Sequence, residues 1–532
     1  MSEPVQPVRS TPIRSVKGTR DLLPRDTALW LKVEEEARRV LAAYHFGEIR
    51  TPILEQTNLV ARSVGEDTDI VGKEMYTWED HEVPELALLR AEIRRTKAPV
   101  IDVPYNREDV ERQEGQIEKF TAQVNEAMNK GQVPKTPENQ GSLNALGQTL
   151  QNLRRLRKEG DGFTYELAFN YVRDVVVDVR LGDSLTLRPE ATASVVRAYI
   201  EHSLYNEGGA HKLYYIGPMF RRDRPQKGRY RQFYQIGAEV LGSEHPAVDV
   251  EVLEMLALFL GRVGLREFTL LINSVGDKRC RPAYVETLRK ALVAVKDQMC
   301  SDCRRRADTN PLRVLDCKVH SDQPIIDQLP RMIDHLDPEC RRHFDAVLAG
   351  LDHRGIAYQI TPRLVRGLDY YTRTTFEITS SVLGAQNSLL GGGRYDGLSE
   401  MIGGPPAPGI GFAIGEDRLA LAVEAAGELK PAGALAVYVA WLGEAAAEPA
   451  ARLAHELREH GLSVEIGYEP AKLKKSLGTA SKLGARFAII IGEGELASGR
   501  YQVKDLATGQ QEAVEPARLA GYLSQRTSPA GT

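Results

Sequence analysis

The stretch that most constrains the fold is residues 213–242, where two strand-like runs flank a short loop. The runs are LYYIGPMFRRD and RQFYQIGAEVLG, and the loop between them is RPQKGRY. Such runs on either side of a turn predict an antiparallel β-hairpin. Because alternate side chains of a hairpin share one face, the chain should contain an antiparallel sheet with Arg221, Asp223, Arg231, Phe233 and Gln235 on one side.

The same hairpin is strongly basic. Its central stretch FRRDRPQKGRYRQFYQ (220–235) holds five arginines, one lysine and a single acidic residue. Taken alone, such a charge run is as often a solvated surface as a binding site. An arginine fork does match phosphate geometry, and an aromatic ring supports a stacked base. Since the net charge of the chain is −4, any nucleic-acid site must be a local patch.

The chain is long enough for several domains, and its pattern changes twice. From 81 to 181, apolar residues at helical spacing on both sides of GQVPKTPENQG predict an inserted antiparallel helical hairpin. Nine basic and nine acidic residues between 107 and 161 are typical of a solvated helix pair. The next stretch, DVVVDVRLGDSLTLRPE, predicts a β-hairpin around its GD turn. Beyond KPAGA (430–434), alternating strands and helices predict a small α/β domain.

The composition favours a cytoplasmic protein. The chain is 42% hydrophobic and 27% charged, but it has no apolar run long enough for a membrane span or a secretory signal. Five cysteines in a chain of this size argue against a secreted disulfide scaffold. We therefore expect a cytoplasmic location and no membrane association.

Four further motifs occur with the basic hairpin. They are LRPEATA (187–193), LVRGLDYYTRTTFEI (364–378), GGGRYDGL (391–398) and GIGFAIGEDRL (409–419). Together with GTRDLLP (18–24), they resemble the motifs of histidyl-tRNA synthetases, which are class II aminoacyl-tRNA synthetases. RGLDYYTRTTFE resembles the signature of that family, whereas the hairpin and the strand–helix ending in Arg418 mark class II more generally. The resemblance covers nearly all of the chain except 81 to about 181.

The resemblance implies an α+β fold. Its class II catalytic core would be an antiparallel sheet flanked by helices, with the inserted helical hairpin and a C-terminal α/β anticodon-binding domain. The expected segments are a disordered lead (1–17), the catalytic domain (18–80 and 182–425) with a family insertion domain inside it (272–355), the helical insertion (81–181), a linker (426–433), the anticodon-binding domain (434–523) and a tail (524–532).

The resemblance also assigns an ATP site. Arg221 would hold the α-phosphate, Phe233 would lie beneath the adenine, Arg418 would cover its other face, and Arg229 would approach the terminal phosphates. Arg366, within the family signature, would act at the α-phosphate, where other class II enzymes use a metal ion. Arg221 and Arg366 are the predicted catalytic residues, because fixed guanidinium groups stabilise the negative charge that develops there.

The histidine site implied by the resemblance has two ends. Glu190, Thr192 and Gln235 match groups at the α-amino end, and Glu239 matches a group near the imidazole. Neutral imidazole has one donor and one acceptor, which a carboxylate and a tyrosine hydroxyl can meet. The alternative interpretation of Tyr371 and Tyr395 is that their side chains only pack in the hydrophobic core. The predicted histidine-binding residues are Glu190, Thr192, Arg221, Gln235, Glu239, Arg366, Tyr370, Tyr371 and Tyr395.

Contacts with tRNA are expected in two places. Lys227 and Arg231 belong to the hairpin loop, and Lys472, Lys474 and Lys475 cover a helix face in AKLKKSLGTASK. By itself this face would be a solvated surface, but its position in a domain that resembles an anticodon-binding domain favours RNA contact. The expected partners are tRNA(His), L-histidine, ATP with Mg²⁺ and a second copy of the chain. No tightly bound cofactor is expected.

Three cysteines raise the alternative of a zinc site. Cys300 and Cys303 form CSDC, and Cys317 follows. A closed zinc site has four ligands, and candidates for the fourth are Cys280, His320 and His335. Because the spacing lacks a second close pair, structural thiols are favoured and no metal is assigned.

The resemblance implies a ligase that forms histidyl-adenylate from histidine and Mg-ATP and then transfers histidine to the 3′ end of tRNA(His). One alternative is a regulatory paralogue of histidine biosynthesis, which would usually lack the C-terminal domain and the catalytic arginines. The other is an RNA-binding or sensor module. This chain keeps Arg221, Arg366, Arg418 and the residues matched to ATP and histidine, which argues against both.

Overall fold

The computed structural model describes residues 13–65, 68, 70–80, 83–96, 107–159, 162–226, 228–365, 370–383, 387–427 and 435–527. The chain divides into two compact units, Met1–Asp21 with Glu34–Glu428, and Leu22–Val33 with Leu429–Thr532. No helix in these ranges is long and apolar enough to cross a membrane.

The α-helices are as follows, with the 3₁₀ segments and the π-helical segment Ile70–Glu74 left out: α1 Pro24–Ala43, α2 Thr57–Val64, α3 Pro84–Arg95, α4 Arg107–Asn129, α5 Pro137–Glu159, α6 Gly162–Asp178, α7 Thr192–Glu201, α8 Pro246–Arg262, α9 Arg281–Val293, α10 Ser301–Thr309, α11 Gln323–Ile326, α12 Pro338–His353, α13 Leu398–Met401, α14 Glu416–Ala426, α15 Ala447–Glu459, α16 Leu473–Lys482, α17 Glu493–Ser498 and α18 Pro516–Thr527.

The strands are β1 Gly47–Glu48, β2 Leu54–Gln56, β3 Tyr76–Asp80, β4 Asp183–Leu187, β5 His211–Phe220, β6 Gln232–Leu241, β7 Thr269–Ser274, β8 Gln359–Ile360, β9 Thr372–Thr379, β10 Ser388–Arg394, β11 Gly409–Gly415, β12 Val437–Trp441, β13 Val464–Ile466, β14 Phe487–Ile491, β15 Tyr501–Asp505 and β16 Gln511–Val514.

An eight-stranded sheet forms the centre of the first unit. Its order is β1-β5-β6-β11-β10-β9-β7-β8, and only the two outer pairs, β1/β5 and β7/β8, are parallel. The predicted hairpin is its longest pair, because β5 and β6 stay in register from His211 opposite Leu241 to Phe220 opposite Gln232. The predicted antiparallel sheet flanked by helices is confirmed.

In its described residues, the segment between β3 and β4 contains four helices rather than the predicted two. The helices α3, α4, α5 and α6 share one apolar core, which includes Leu89, Ile117, Phe120, Leu146 and Leu153. The sequence prediction covered α4 and α5 only. The strands β3 and β4 themselves are antiparallel neighbours, with Asp80 opposite Asp183. The whole segment is therefore an excursion from the end of one hairpin.

The prediction of a strand in DVVVDVR was wrong. Asp174–Asp178 is the last part of α6, and the strand β4 begins only at Asp183. The buried residues Tyr165, Phe169, Val172 and Val176 follow helical spacing and enter the shared core of the four helices. Packing of this face outweighs the β-preference of the valines, since propensity is a weak bias that tertiary contacts override.

The segment 272–355 contains α9, α10, α11 and α12 and has a second core of its own, which includes Tyr284, Leu288, Val314 and Cys340. In the second unit, the sheet order is β13-β12-β14-β15-β16. The strands β13, β12 and β14 are parallel, as the alternating pattern predicts, whereas β15 and β16 are antiparallel additions.

Candidate active site

The loop end of the β5–β6 hairpin forms one wall of a cavity, and β10, β11 and the start of α14 form the other. All four residues predicted to bind ATP line this cavity. The lining residues are Arg221, Asp223, Gly228, Arg229, Tyr230, Phe233, Ser388, Leu389, Leu390, Gly391, Ala413, Gly415, Asp417 and Arg418.

Each of the three arginines in this cavity is held in a different way. The Arg221 guanidinium carbon lies 5.3 Å from the centre of the Phe233 ring, and Arg221 Nε donates to the Pro189 carbonyl at 2.9 Å. Arg418 Nη1 donates to the Ser388 carbonyl at 2.9 Å. Arg229 is half exposed and its Nη1 lies 3.5 Å from Asp223 Oδ2. The hydrogen bonds to backbone carbonyls orient Arg221 and Arg418, whereas the half-exposed side chain of Arg229 can change its conformation.

The cavity is electrostatically suited to a polyanion. Burial lowers the pKa of Arg418, and the neighbouring positive charge of Arg229 lowers it further. Burial also lowers the pKa of Arg221, against the attraction of Glu74 and Glu190. A bound phosphate chain would relieve the repulsion between the arginines, and guanidinium forks bind phosphate oxygens in a bidentate way.

A second, fully buried group of side chains surrounds Glu239 on β6. Tyr395 Oη donates to Glu239 Oε2 at 2.5 Å, and Thr192 Oγ1 donates to Oε1 at 2.8 Å. Tyr215 Oη donates to Oε1 at 3.4 Å. Burial raises the pKa of the Glu239 carboxyl to about 8, although these hydrogen bonds oppose the shift. A buried carboxyl with hydroxyl donors can recognise a small polar ring.

Two of the residues predicted to bind the α-amino end of histidine, Glu190 and Thr192, lie close to this carboxyl. Glu190 Oε2 accepts from the Thr192 backbone N–H at 2.7 Å and Oε1 from that of Ala193 at 3.0 Å, so Glu190 holds the start of α7. Burial raises the pKa of Glu190. The amide oxygen of Gln235 is buried, and within the described residues it has no hydrogen-bond partner. That oxygen is available to accept from a bound ligand.

The predicted tyrosines form one buried aromatic cluster. The rings of Tyr370 and Tyr371 have centres 4.8 Å apart, and those of Tyr370 and Tyr395 are 5.8 Å apart and nearly perpendicular. Tyr395 reaches Glu239 directly, as described above. The cluster therefore combines core packing with one polar contact, and core packing alone does not account for it.

Two predicted residues lie outside the described residues, namely Arg366 and Lys227. Arg231 is described, and its Nη1 donates to the Lys17 carbonyl at 3.2 Å while its backbone N–H donates to Gly18. This contact is typical of a structural arginine that holds the GTRDLLP segment. Lys472, Lys474 and Lys475 are exposed at the start of α16.

Several supporting residues escaped sequence reasoning. Tyr215 lies directly opposite Gly237 in the β5–β6 register, and an alternating pattern cannot identify its hydroxyl as a partner of Glu239. Arg394 is fully buried and its Nη2 lies 2.7 Å from Asp249 Oδ2, which anchors the strand that precedes Tyr395. Arg394 and Asp249 lie far apart in sequence. Tyr215 and Glu239 lie on neighbouring strands of one hairpin, but no local signal marks the contact of their side chains.

Two further arginines, Arg188 and Arg20, hold segments of the motifs in place. Arg188 Nη1 donates to the Thr51 carbonyl at 2.9 Å, and its Nε donates to the Pro218 carbonyl at 3.1 Å. Arg20 Nη2 donates to Asp417 Oδ1 at 2.7 Å, beside Arg418 at the start of α14. In the sequence, the only indication of these roles was the arginine in each of the motifs LRPEATA and GTRDLLP.

Close packing around Glu239 requires glycine at position 411, which lies opposite Glu239 in the β6–β11 register. A methyl group there would lie 1.6 Å from Glu239 Oε2. We expect Gly411→Ala to displace this carboxyl and to raise the KM for histidine at least about tenfold, since leaving a buried polar group without its hydrogen-bond partner costs about 1–3 kcal/mol. Steady-state ATP–pyrophosphate exchange measures the change.

The matched control for this variant is Gly397→Ala, in the same GGGRYDGL region. An added methyl group at 397 meets nothing within 4 Å, so the KM for histidine should stay at the wild-type value. Equal effects of the two substitutions would contradict the assigned packing role of Gly411.

Comparisons with known proteins agree with this geometry. A sequence model described as histidyl-tRNA synthetase matches residues 172–419, and one described as anticodon binding domain matches residues 436–526. These matches define the class of protein, an aminoacyl-tRNA synthetase catalytic domain followed by an anticodon-binding domain. The first match begins within α6, so α3, α4 and α5 lie outside it.

Relatives similar along nearly the whole chain identify the family. The chain is 49% identical over 518 residues to the histidine–tRNA ligase of Koribacter versatilis (strain Ellin345), covering 96% of each protein. It is 48% identical over 512 residues to that of Solibacter usitatus (strain Ellin6076), covering 96% of this chain and 99% of the relative. The chain belongs to the histidyl-tRNA synthetase family.

A solved structure gives the same result. The crystal structure of apo S. aureus histidyl-tRNA synthetase has a TM-score of 0.66 and 33% sequence identity, and the match covers 96% of this chain and 100% of that chain. The resemblance inferred from the motifs is thus confirmed.

Proposed function

We propose that this protein is a histidine–tRNA ligase that activates L-histidine with Mg-ATP and transfers it to the 3′ end of tRNA(His). One observation carries the proposal: a single face of β6 bears Phe233 at the arginine-lined cavity, Glu239 in the buried polar group, and the buried Gln235 between them. ATP and histidine bound at these places would lie along one strand. The α-phosphate would then lie between them, near Arg221.

The residues have separate tasks in this reaction. Arg221, oriented by Pro189 and Phe233, would stabilise the charge that develops as the histidine carboxylate attacks the α-phosphorus and pyrophosphate leaves. Arg418 and Arg229 would bind the rest of the nucleotide, and we assign Arg366 to the α-phosphate as well. Mg²⁺ enters with ATP as part of the substrate.

Recognition of histidine would rest on the buried carboxyl. Glu239 would accept from one imidazole nitrogen, and the hydroxyl of a cluster tyrosine, Tyr370 or Tyr371, would meet the other. Gln235 and Thr192 would contact the α-amino end. An amino acid without these polar groups would leave buried atoms unpaired, and a site of this kind can reject it by a factor of about 10⁴ without editing.

Histidine-dependent ATP–pyrophosphate exchange, followed by tRNA charging, tests the proposal. We expect exchange that requires histidine and ATP, and charging of tRNA(His). Absence of exchange would refute the ligase function. Exchange without charging would refute the tRNA assignment while leaving histidine activation in place.

We further propose that the protein is a cytoplasmic homodimer whose second unit binds the anticodon region of the tRNA. The three exposed lysines at the start of α16 support this role, since phosphates are attracted to such a cluster in a salt-dependent way. The residues described contain no ion pair of these lysines with an acidic side chain within 4.0 Å. Their charge is thus available to RNA.

Replacing Lys472, Lys474 and Lys475 together by alanine should weaken tRNA binding and leave exchange unchanged. Loss of three phosphate contacts would make the negative slope of log affinity against log salt concentration shallower by about 2. Charging kinetics at several salt concentrations measure this. Lys482→Ala, at the other end of α16, is the control, and an equal loss in this variant would contradict a local contact.

The four-helix segment offers another prediction. Because Asp80 and Asp183 are paired across β3 and β4, a two-residue Asn-Gly turn should replace residues 81–182 and close this hairpin. The segment has its own core, so exchange should survive. Exchange and charging are measured separately on the shortened protein. Charging lost while exchange survives would assign the segment to tRNA, and loss of exchange would contradict its independence.

A further inference from the structure

Three cysteines and one aspartate converge within the 272–355 segment. Cys300 precedes the first turn of α10, Cys303 lies in that turn, Cys317 follows the next 3₁₀ segment, and Asp322 lies shortly beyond. One ligand atom from each residue lies within 4.8 Å of the others. All five cysteines of the chain are free thiols, so these three are available as ligands.

The distances suit a tetrahedral metal ion. The Sγ atoms of Cys300 and Cys317 are 3.9 Å apart, and Cys317 Sγ lies 3.4 Å from Asp322 Oδ2. Around a tetrahedral zinc with Zn–S of about 2.3 Å and Zn–O of about 2.0 Å, the corresponding distances are about 3.8 Å and about 3.5 Å. Small adjustments would bring the four atoms to one ion.

Backbone donors point at two of the sulfur atoms. The N–H of Cys303 donates to Cys300 Sγ at 3.4 Å, and the N–H of Val319 donates to Cys317 Sγ at 3.4 Å. Hydrogen bonds from outside the coordination sphere orient ligands and support their negative charge. Such bonds favour thiolates, which are the ligand form of cysteine.

Asp322 supplies an independent observation. Its side chain is fully buried and accepts from the Cys300 N–H at 3.1 Å and from the Ser321 hydroxyl at 3.2 Å. In the described part of the chain, no Lys, Arg or His nitrogen lies within 4.0 Å of its carboxylate. A buried carboxylate without a cation is costly, and a divalent ion would compensate it.

A second cluster in the same segment serves as an internal comparison. It comprises Asp277, Cys280, Asp337 and Cys340. Its carboxylates already have a cation, because Arg279 lies 2.7 Å from Asp277 Oδ2 and 3.6 Å from Asp337 Oδ2. These contacts meet the need for positive charge, so this cluster does not require a metal.

We propose that Cys300, Cys303, Cys317 and Asp322 bind one Zn²⁺ ion. Three soft thiolates in tetrahedral arrangement select zinc over the hard cations Mg²⁺ and Ca²⁺. Four protein ligands, three of them buried, leave no open position on a tetrahedral ion, which makes the site structural rather than catalytic. The fourth ligand is Asp322, not Cys280, His320 or His335, and it fixes the start of α10 to the chain that follows.

Metal analysis of the full-length protein purified without chelator tests the proposal. We expect one zinc per chain. After exchange of zinc for Co²⁺, we expect thiolate-to-cobalt charge-transfer absorption and visible bands typical of tetrahedral Co²⁺. Alkylation should spare Cys300, Cys303 and Cys317 until a chelator is added. No zinc together with no cobalt spectrum would refute the site, as would iron in its place or a disulfide between these cysteines.

Variants separate the two clusters. Cys303→Ser should abolish zinc binding, whereas Cys340→Ser in the second cluster should retain it, and the opposite pattern would overturn the assignment. Asp322→Asn is nearly isosteric, and its zinc affinity should fall more than about tenfold, the smallest effect expected for loss of an outer-sphere partner. Asp322→Cys should retain tight binding. If Cys303→Ser does not fold, competition of the wild-type protein and Asp322→Asn with a chromophoric chelator decides the question.

Discussion

Arg221→Ala is expected to lower the kcat of histidine-dependent ATP–pyrophosphate exchange by about 100- to 1,000-fold, because one oriented donor at a developing charge contributes about 3–4 kcal/mol. Arg221 is suited to this role because Pro189 and Phe233 hold its guanidinium in the cavity. Its charge is partly buried, so water cannot replace it fully. Burst and steady-state exchange kinetics measure the loss.

Arg224→Ala is the matched control for this effect. Arg224 lies in the same basic stretch, but it is exposed and outside the cavity lining. Exchange should therefore stay at the wild-type rate. An Arg221→Ala enzyme with full exchange would refute the catalytic role, and an equal loss in Arg224→Ala would show that general charge, not position, matters.

Glu239→Ala is expected to lower kcat/KM for histidine by about 1,000-fold or more, while the KM for ATP stays unchanged. The substitution leaves the hydroxyls of Tyr395 and Thr192 and one imidazole nitrogen without their acceptor, and unpaired buried polar groups produce discrimination of this size. The variant should fold, because burial already raises the pKa of this carboxyl to about 8 and no ion pair is lost.

Two further variants test the role of the carboxyl. Glu239→Gln keeps an acceptor oxygen and should show an intermediate loss. Glu251 forms an ion pair with Lys212 at the surface. As a control, Glu251→Gln should leave kcat/KM for histidine unchanged. A Glu239→Ala enzyme with wild-type kcat/KM for histidine would refute recognition by this residue.

The sequence motifs identified residues that line the cavity, but they did not identify the residues that hold the site in position. Arg221, Phe233 and Arg418 lie within motifs of fixed spacing, and the structure brings them to one cavity. Arg394 and Arg20 contact residues far away in sequence, so local pattern could not reveal these contacts. Tyr215 and Glu239 lie on neighbouring strands of one hairpin, but strand alternation does not show which side chains form a hydrogen bond. The proposed zinc ligand Asp322 was missed for a different reason, since only cysteines and histidines were considered as ligands.

The fold shows a similar division. The β5–β6 hairpin and, in the second unit, β12, β13, β14, α15 and α16 were predictable because their apolar patterns reflect local burial, whereas β15, β16, α17 and α18 were not predicted. The valines of α6 were misread because their β-preference suggested a strand, whereas their burial follows helical spacing. The number of helices in the β3–β4 excursion was underestimated because α3 and α6 gain their stability from packing against α4 and α5.

The placement of Phe233, Gln235 and Glu239 on one strand has a consequence for tolerance to change. Six residue steps of extended chain separate Phe233 from Glu239 by about 20 Å. In the proposed function, the geometry of this one strand, and not the packing of separate elements, would set the distance between the adenine site and the imidazole site. Deleting a single residue between Phe233 and Glu239 would turn one of these two side chains to the opposite side of the sheet.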